Sequence, residues 1–82
     1  METFEYNGVV YNVDCDDLNR HGGPWDRGCA DSWYQRPLDP HYFVGDTYNS
    51  DRVESDQMTQ QQIDEYYAGH DYNERFGGKK EY

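Results

Sequence analysis

The sequence predicts a small α+β fold, a single domain in which an N-terminal β-hairpin packs against two short-to-medium helices with irregular connections. Three observations support it: an Asn-Gly pair between β-prone runs, a proline at the start of one helical stretch, and a capping signature at the start of another. The 82 residues have room for one domain, and we expect residues 79–82 to form a frayed tail.

The hairpin is predicted around Asn7-Gly8, because both residue types tolerate the positive φ angles of a type I′ turn. Such a turn pairs Tyr6 with Val9, and Phe4 with Tyr11. Alternation along the strands then places one apolar set on the buried face: Phe4, Tyr6, Val9, Tyr11 and Val13.

A first helix is predicted over residues 24–35, because proline is well accommodated in the first turn of a helix. Its expected buried stripe contains Trp25, Cys29 and Trp33 at intervals of four residues. Gly28 weakens this helix, and Pro37 with Pro40 prevents its continuation.

Residues 37–57 are predicted to be mostly irregular, with Tyr42–Val44 and Thr47–Val53 as short strand candidates. A second helix follows. Thr59 and Gln62 form a capping box, and Met58 with Ile63 forms a hydrophobic staple. We expect this helix to end at Gly77-Gly78.

The core is expected to be aromatic, since the chain has five Val, two Leu and one Ile but nine Tyr, three Phe and two Trp. Trp25 and Trp33 are its predicted anchors. A homodimer that finishes burying this aromatic surface is an alternative.

The chain is strongly acidic, with 17 Asp and Glu against 7 Lys and Arg and a formal charge of −10. This charge disfavours binding to nucleic acid phosphates and to anionic membrane surfaces, and it favours a partner with a basic surface. Acidity that merely maintains solubility is the simpler alternative.

A row of carboxylates is predicted on the second helix, at Asp64, Glu65, Asp71 and Glu74. Carboxylates spaced along a rigid helix can imitate the phosphates of a nucleic acid and attract a basic partner. A solvated helix face is the alternative interpretation.

A second candidate surface is the arginine- and aromatic-rich segment over residues 20–43, since Arg and aromatic residues are enriched at binding hot spots. Its predicted exposed members are Arg27, Arg36 and His41. An ordinary core, with the arginines paired to Asp26 or Asp31, is equally compatible with the sequence.

A zinc site is a lesser alternative, because Cys15, His21, Cys29 and His41 are ligand types that zinc prefers. Their separations match no usual zinc motif, so we predict no metal and no cofactor. The sequence contains no catalytic motif either, and we expect a protein that is not an enzyme. The N-terminus lacks the features of a signal peptide, which favours a cytoplasmic location with reduced thiols.

Two segments carry a resemblance: GGPWDRGCADSWYQRPLDPHYF over residues 22–43, and MTQQQIDEYYAGHDYNERFGG over residues 58–78. They resemble a family of small tailed-bacteriophage proteins with the pattern GGPxDRGxADxYYxRxxxPHxY, from which Trp33 departs. The resemblance implies an accessory protein that acts on host or defence machinery in an infected bacterium. It implies no fold, activity or site residue.

Overall fold

A computed structural model of the chain describes residues 2–45 and 50–79. The elements follow in the order β1 (Thr3–Tyr6), β2 (Val9–Asn12), α1 (Pro24–Trp33), β3 (His41–Phe43), β4 (Arg52–Glu54) and α2 (Gln60–Phe76). A 3-10 turn at Ser55–Gln57 leads into α2. The α+β fold class is therefore confirmed.

The hairpin β1–β2 has the register expected from its turn. Tyr6 pairs with Val9 and Phe4 with Tyr11, and the φ angles of Asn7 and Gly8 are 53° and 83°. Phe4 and Tyr11 are buried, whereas the more distal Val9 is 45% exposed. The predicted face of the hairpin thus packs against the core, but the tip of the hairpin extends beyond the core.

Helix α2 begins and ends where the sequence predicts. Thr59 Oγ1 accepts a hydrogen bond from Gln62 N at 3.2 Å, and Gln62 Oε1 accepts one from Thr59 N at 2.9 Å. At the other end Gly77 N donates to the Asn73 carbonyl oxygen at 2.9 Å. The capping box and the glycine stop are both confirmed.

Helix α1 packs against α2 through two glycines. A Cβ added at Gly28 would lie 2.9 Å from His70 N and closer still to the Tyr66 carbonyl oxygen. A Cβ added at Gly69 would lie 3.1 Å from the Trp25 Cα and closer to its carbonyl oxygen. Gly28, which the sequence analysis treats as a weakness of the helix, is the residue that permits this close contact.

The predicted stripe on α1 is only partly correct. Trp25 is buried, but Trp33 is 41% exposed and does not anchor the core. Successive helical residues lie about 100° apart, so a residue eight positions along is rotated by about 80°. Ser32, seven positions after Trp25, stays almost in line with it and is fully buried.

The core is aromatic, as expected, and it joins the hairpin to both helices. Phe4, Tyr11, Trp25 and Ala68 form its buried cluster, with Tyr72 packed against it. The ring centroids of Phe4 and Tyr72 are 5.4 Å apart, and those of Tyr11 and Trp25 are 5.6 Å apart.

A second antiparallel pair, β3–β4, orders part of the segment predicted to be mostly irregular. His41 pairs with Glu54, and Phe43 with Arg52. The strand candidate at 42–44 is thus shifted by one residue. The candidate at 47–53 overlaps β4 only at residues 52 and 53, and its positions 47–49 lie outside the described residues. Among residues 2–45 and 50–79, neither helix has the length and apolar character needed to cross a membrane.

Lys79 was expected to belong to a frayed tail, but it is held by contacts with α1 and α2. Lys79 Nζ donates to the Ser32 carbonyl oxygen at 3.2 Å and forms an ion pair with Glu74. Residues 80–82 lie outside the described residues.

Candidate functional site

Arg27 and His41 lie in the interior, which corrects the prediction that both belong to an exposed binding surface. They are 5% and 4% exposed, respectively. Arg27 Nε donates to His41 Nε2 at 3.4 Å, and the Arg27 guanidinium lies over the Phe43 ring, 5.8 Å from its centroid. Neither side chain is exposed enough to contact a protein partner.

The hydrogen bonds of His41 fix its tautomer. Arginine nitrogens only donate, so Nε2 of His41 must accept from Arg27. Nδ1, which is 2.6 Å from the Asp39 carbonyl oxygen, must then carry the proton and donate it. Both ring nitrogens of His41 are used in holding the loop before β3 against α1.

Asp31 and Tyr66 complete this interior group, which we call the polar hub: Arg27, Asp31, His41 and Tyr66. The Tyr66 hydroxyl donates to Asp31 Oδ2 and accepts from Asp39 N at 3.1 Å. Burial, with the hydrogen bond to Asp31, raises the pKa of Tyr66 well above its usual value. The hub is a satisfied structural network that joins α1, α2 and β3.

A cleft of about 220 Å³ opens beside the hub, lined by Asp31, Arg36, Pro37, Asp39, His41 and Arg52. Arg36, correctly predicted to be exposed, places Nη1 3.5 Å from the Asp31 carboxylate. Arg52 donates through Nη2 to Asp39 at 2.7 Å and through Nε to Glu54 at 2.6 Å. Two guanidinium groups and two aspartate carboxylates therefore meet around one small opening.

The carboxylates of α2 do not form one unbroken negative row. Asp71 forms an ion pair with Arg75 at 3.0 Å. Glu74 accepts from Ser32 Oγ and forms an ion pair with Lys79. Two of the four predicted charges are thus compensated within the molecule.

The remaining two carboxylates of α2, Asp64 and Glu65, both lie near the hairpin: burial raises the pKa of Tyr11, and their charges raise it further. Asp64 accepts from Gln60 Nε2 at 3.0 Å. Glu65 precedes Ala68 by three residues and Tyr72 by seven, which places it on the side that faces the hairpin. Burial there raises the pKa of Glu65.

The strongest concentration of uncompensated charge lies at the hairpin and in the turns that follow it. Residues 2–19 contain five acidic residues and no Lys or Arg. All five are exposed, and within the described residues none forms an ion pair. We call them the acidic hairpin surface: Glu2, Glu5, Asp14, Asp16 and Asp17. The sequence contains the signal that identifies this surface, a run of 18 residues without a cation. The prediction of partner-binding residues did not use it.

Both cysteines are free, and neither belongs to a metal site in the part of the chain that the structure describes. Cys15 and Cys29 form no disulfide. The Cys29 thiol donates to the Gly69 carbonyl oxygen at 3.2 Å. Across residues 2–45 and 50–79, no three His, Cys, Asp or Glu side chains form a group that could hold a metal ion.

Comparison of the chain with protein families, with curated proteins and with solved structures finds no match. The resemblance to tailed-bacteriophage proteins therefore stays a prediction that rests on residues 22–43 and 58–78. In the fold these two segments form α1, β3 and α2, which meet at the polar hub.

Proposed function

We propose that this protein is a non-enzymatic phage accessory protein that binds and inhibits a host or defence protein in the bacterial cytoplasm. Its partner carries a basic surface, and the acidic hairpin surface is the part that meets it. The observation that supports this most directly is the arrangement of charge: exposed carboxylates gather at the hairpin, and the cations lie elsewhere.

The cations of the described residues are already engaged within the molecule. Arg27, Arg36, Arg52, Arg75 and Lys79 form ion pairs. Arg20 donates to the carbonyl oxygens of Phe43, Val44 and Gly45. Because these cations are engaged at other sites, none of them pairs with the hairpin carboxylates, whose charge attracts a basic protein over a Debye length of about 8 Å at physiological salt.

Nucleic-acid mimicry is the narrower form of this proposal. In that form the hairpin carboxylates occupy positions that phosphates take on the partner, and Asp64 extends the same negative region along α2. Asp71 and Glu74 contribute less, since each has a cation beside it.

The proposed function is tested by recovering bacterial proteins on the immobilised chain at about 50 mM and about 500 mM salt. We expect a basic host protein to be retained at low salt, released at high salt, and displaced by added DNA if the mimicry form is correct. Retention that does not change with ionic strength would contradict the charge-based proposal. Retention that DNA does not disturb would contradict mimicry alone.

An assembly subunit is the second candidate function, and one observation favours it. Phe76 is 68% exposed although its ring lies 5.3 Å from Tyr72 and 6.1 Å from Phe4, so the aromatic core continues to the surface. Sedimentation at micromolar concentration tests this role. A strict monomer would contradict oligomerisation through that surface, and a dimer abolished by Phe76→Ser would support it.

A further inference from the structure

We propose that the cleft beside the polar hub binds a small zwitterion of amino-acid size, with a carboxylate and an ammonium group on neighbouring atoms. The inference is independent of the hairpin surface and of the protein partner. It rests on the charges that line the cleft, on their fixed geometry and on the size of the opening.

The lining is balanced in charge. Arg36 and Arg52 contribute two guanidinium groups, and Asp31 and Asp39 contribute two carboxylates. A simple anion would meet both aspartates in a molecule of charge −10, and a simple cation would meet both arginines. A zwitterion presents one charge to each kind of group.

The groups that would hold the ligand are oriented before it binds. Nε and Nη2 of Arg52 are fixed by Glu54 and Asp39, and within the described residues Nη1 has no hydrogen-bond acceptor. A guanidinium held in this way presents Nη1 to a carboxylate, which accepts charge-assisted hydrogen bonds from arginine. Beside it, the Asp39 carboxylate that accepts from Arg52 is 61% exposed and can also accept from an ammonium group.

The floor of the cleft is polar and rigid. The side chains of Asp31 and His41 are 4% and 5% exposed and both line the opening. Pro37 and Pro40 restrict the loop that carries Arg36 and Asp39. A volume of about 220 Å³ corresponds to about seven water molecules, which is enough room for a small amino acid.

The test compares L-alanine with the two molecules that each lack one of its charges, propionate and ethylamine. Each is titrated to about 20 mM into the full-length, ¹⁵N-labelled protein, and the amide signals of Asp39 and His41 and the Nε signal of Arg52 are followed. We expect saturable shifts with L-alanine and at least about tenfold weaker binding of propionate and ethylamine. Any of three results would overturn the proposal. These are equal binding of all three molecules, tight binding of only one singly charged molecule, and no saturable shift with L-alanine.

A pair of variants checks the location of the ligand. Arg36→Gln should weaken L-alanine binding about tenfold, whereas the control Arg75→Gln should leave it unchanged, because Arg75 pairs with Asp71 on α2. Circular dichroism of each variant verifies that it is folded. If Arg36→Gln does not fold, the three titrations of the unmodified protein decide the question by themselves.

Discussion

At the scale of single residues, Gly28 sets the distance between the two helices. A Gly→Ala change in an open helix stabilises the helix by about 1 kcal/mol. In Gly28→Ala the new methyl group would instead collide with the Tyr66 backbone, so we expect the free energy of unfolding to fall by about 3 kcal/mol. Urea denaturation measures the change, and a gain in stability would contradict the close crossing of α1 and α2.

Cys29 is a second residue whose surroundings determine its chemistry. Burial, together with the charge of Asp26, raises the pKa of the Cys29 thiol to about 12. Since the thiolate is the reactive form, we expect Cys29 to react slowly with a disulfide reagent at about pH 8. Two thiol classes should be seen, and Cys29→Ser should remove the slow one. A fast reaction that disappears in Cys29→Ser would show that the thiol is accessible.

Tyr66 makes the stability of the fold depend on pH in the alkaline range. Its raised pKa means that the folded state keeps the phenol proton where the unfolded chain, with a tyrosine pKa of about 10, releases it. The stabilisation is therefore complete below about pH 10 and declines as the pH rises toward the folded-state pKa. Tyr66→Phe should lower the free energy of unfolding by about 2 kcal/mol at neutral pH and reduce the decline above pH 10. Equal alkaline sensitivity of the variant and the unmodified protein would rule out this role.

At the scale of elements, the start of α2 depends on a local signature. Thr59→Ala removes the side-chain oxygen that accepts from Gln62 N, and we expect a loss of about 1 kcal/mol in thermal or urea unfolding. Ser55→Ala is a suitable control, because Ser55 lies nearby in the 3-10 turn and is exposed. A similar loss of unfolding free energy in the two variants would mean that the capping box contributes nothing to stability.

The elements that the sequence predicts well are those defined by neighbouring residues. The Asn7-Gly8 turn fixes the hairpin register, and the Thr59 box and Gly77 fix the two ends of α2. The buried side of α1 could not be predicted equally well, because it depends on where α2 approaches. Trp33 is large and apolar, yet the crossing at Gly28 turns it toward solvent.

At the scale of the whole molecule, the location of charged residues was the hardest feature to predict. Arg27 and His41 are polar types that are usually exposed, and their burial requires the partners that α1, β3 and the loop before β3 bring together. The composition does predict an excess of negative charge. The ion pairs that form on folding determine which carboxylates are left without a cation beside them. That is why the excess lies at the hairpin rather than along α2.

The acidic hairpin surface is the part of the molecule proposed to bind a basic partner. The most direct test of this proposal compares two charge-matched variants, Asp16→Asn/Asp17→Asn and Asp51→Asn/Asp56→Asn, for affinity to the host protein retained at low salt. All four side chains are exposed, and each variant removes two negative charges. We expect the hairpin variant to bind at least about fivefold more weakly and with a smaller salt dependence, while the control binds almost as the unmodified protein does. Equal losses in the two variants would mean that only net charge matters, and no loss in either would contradict the proposed surface.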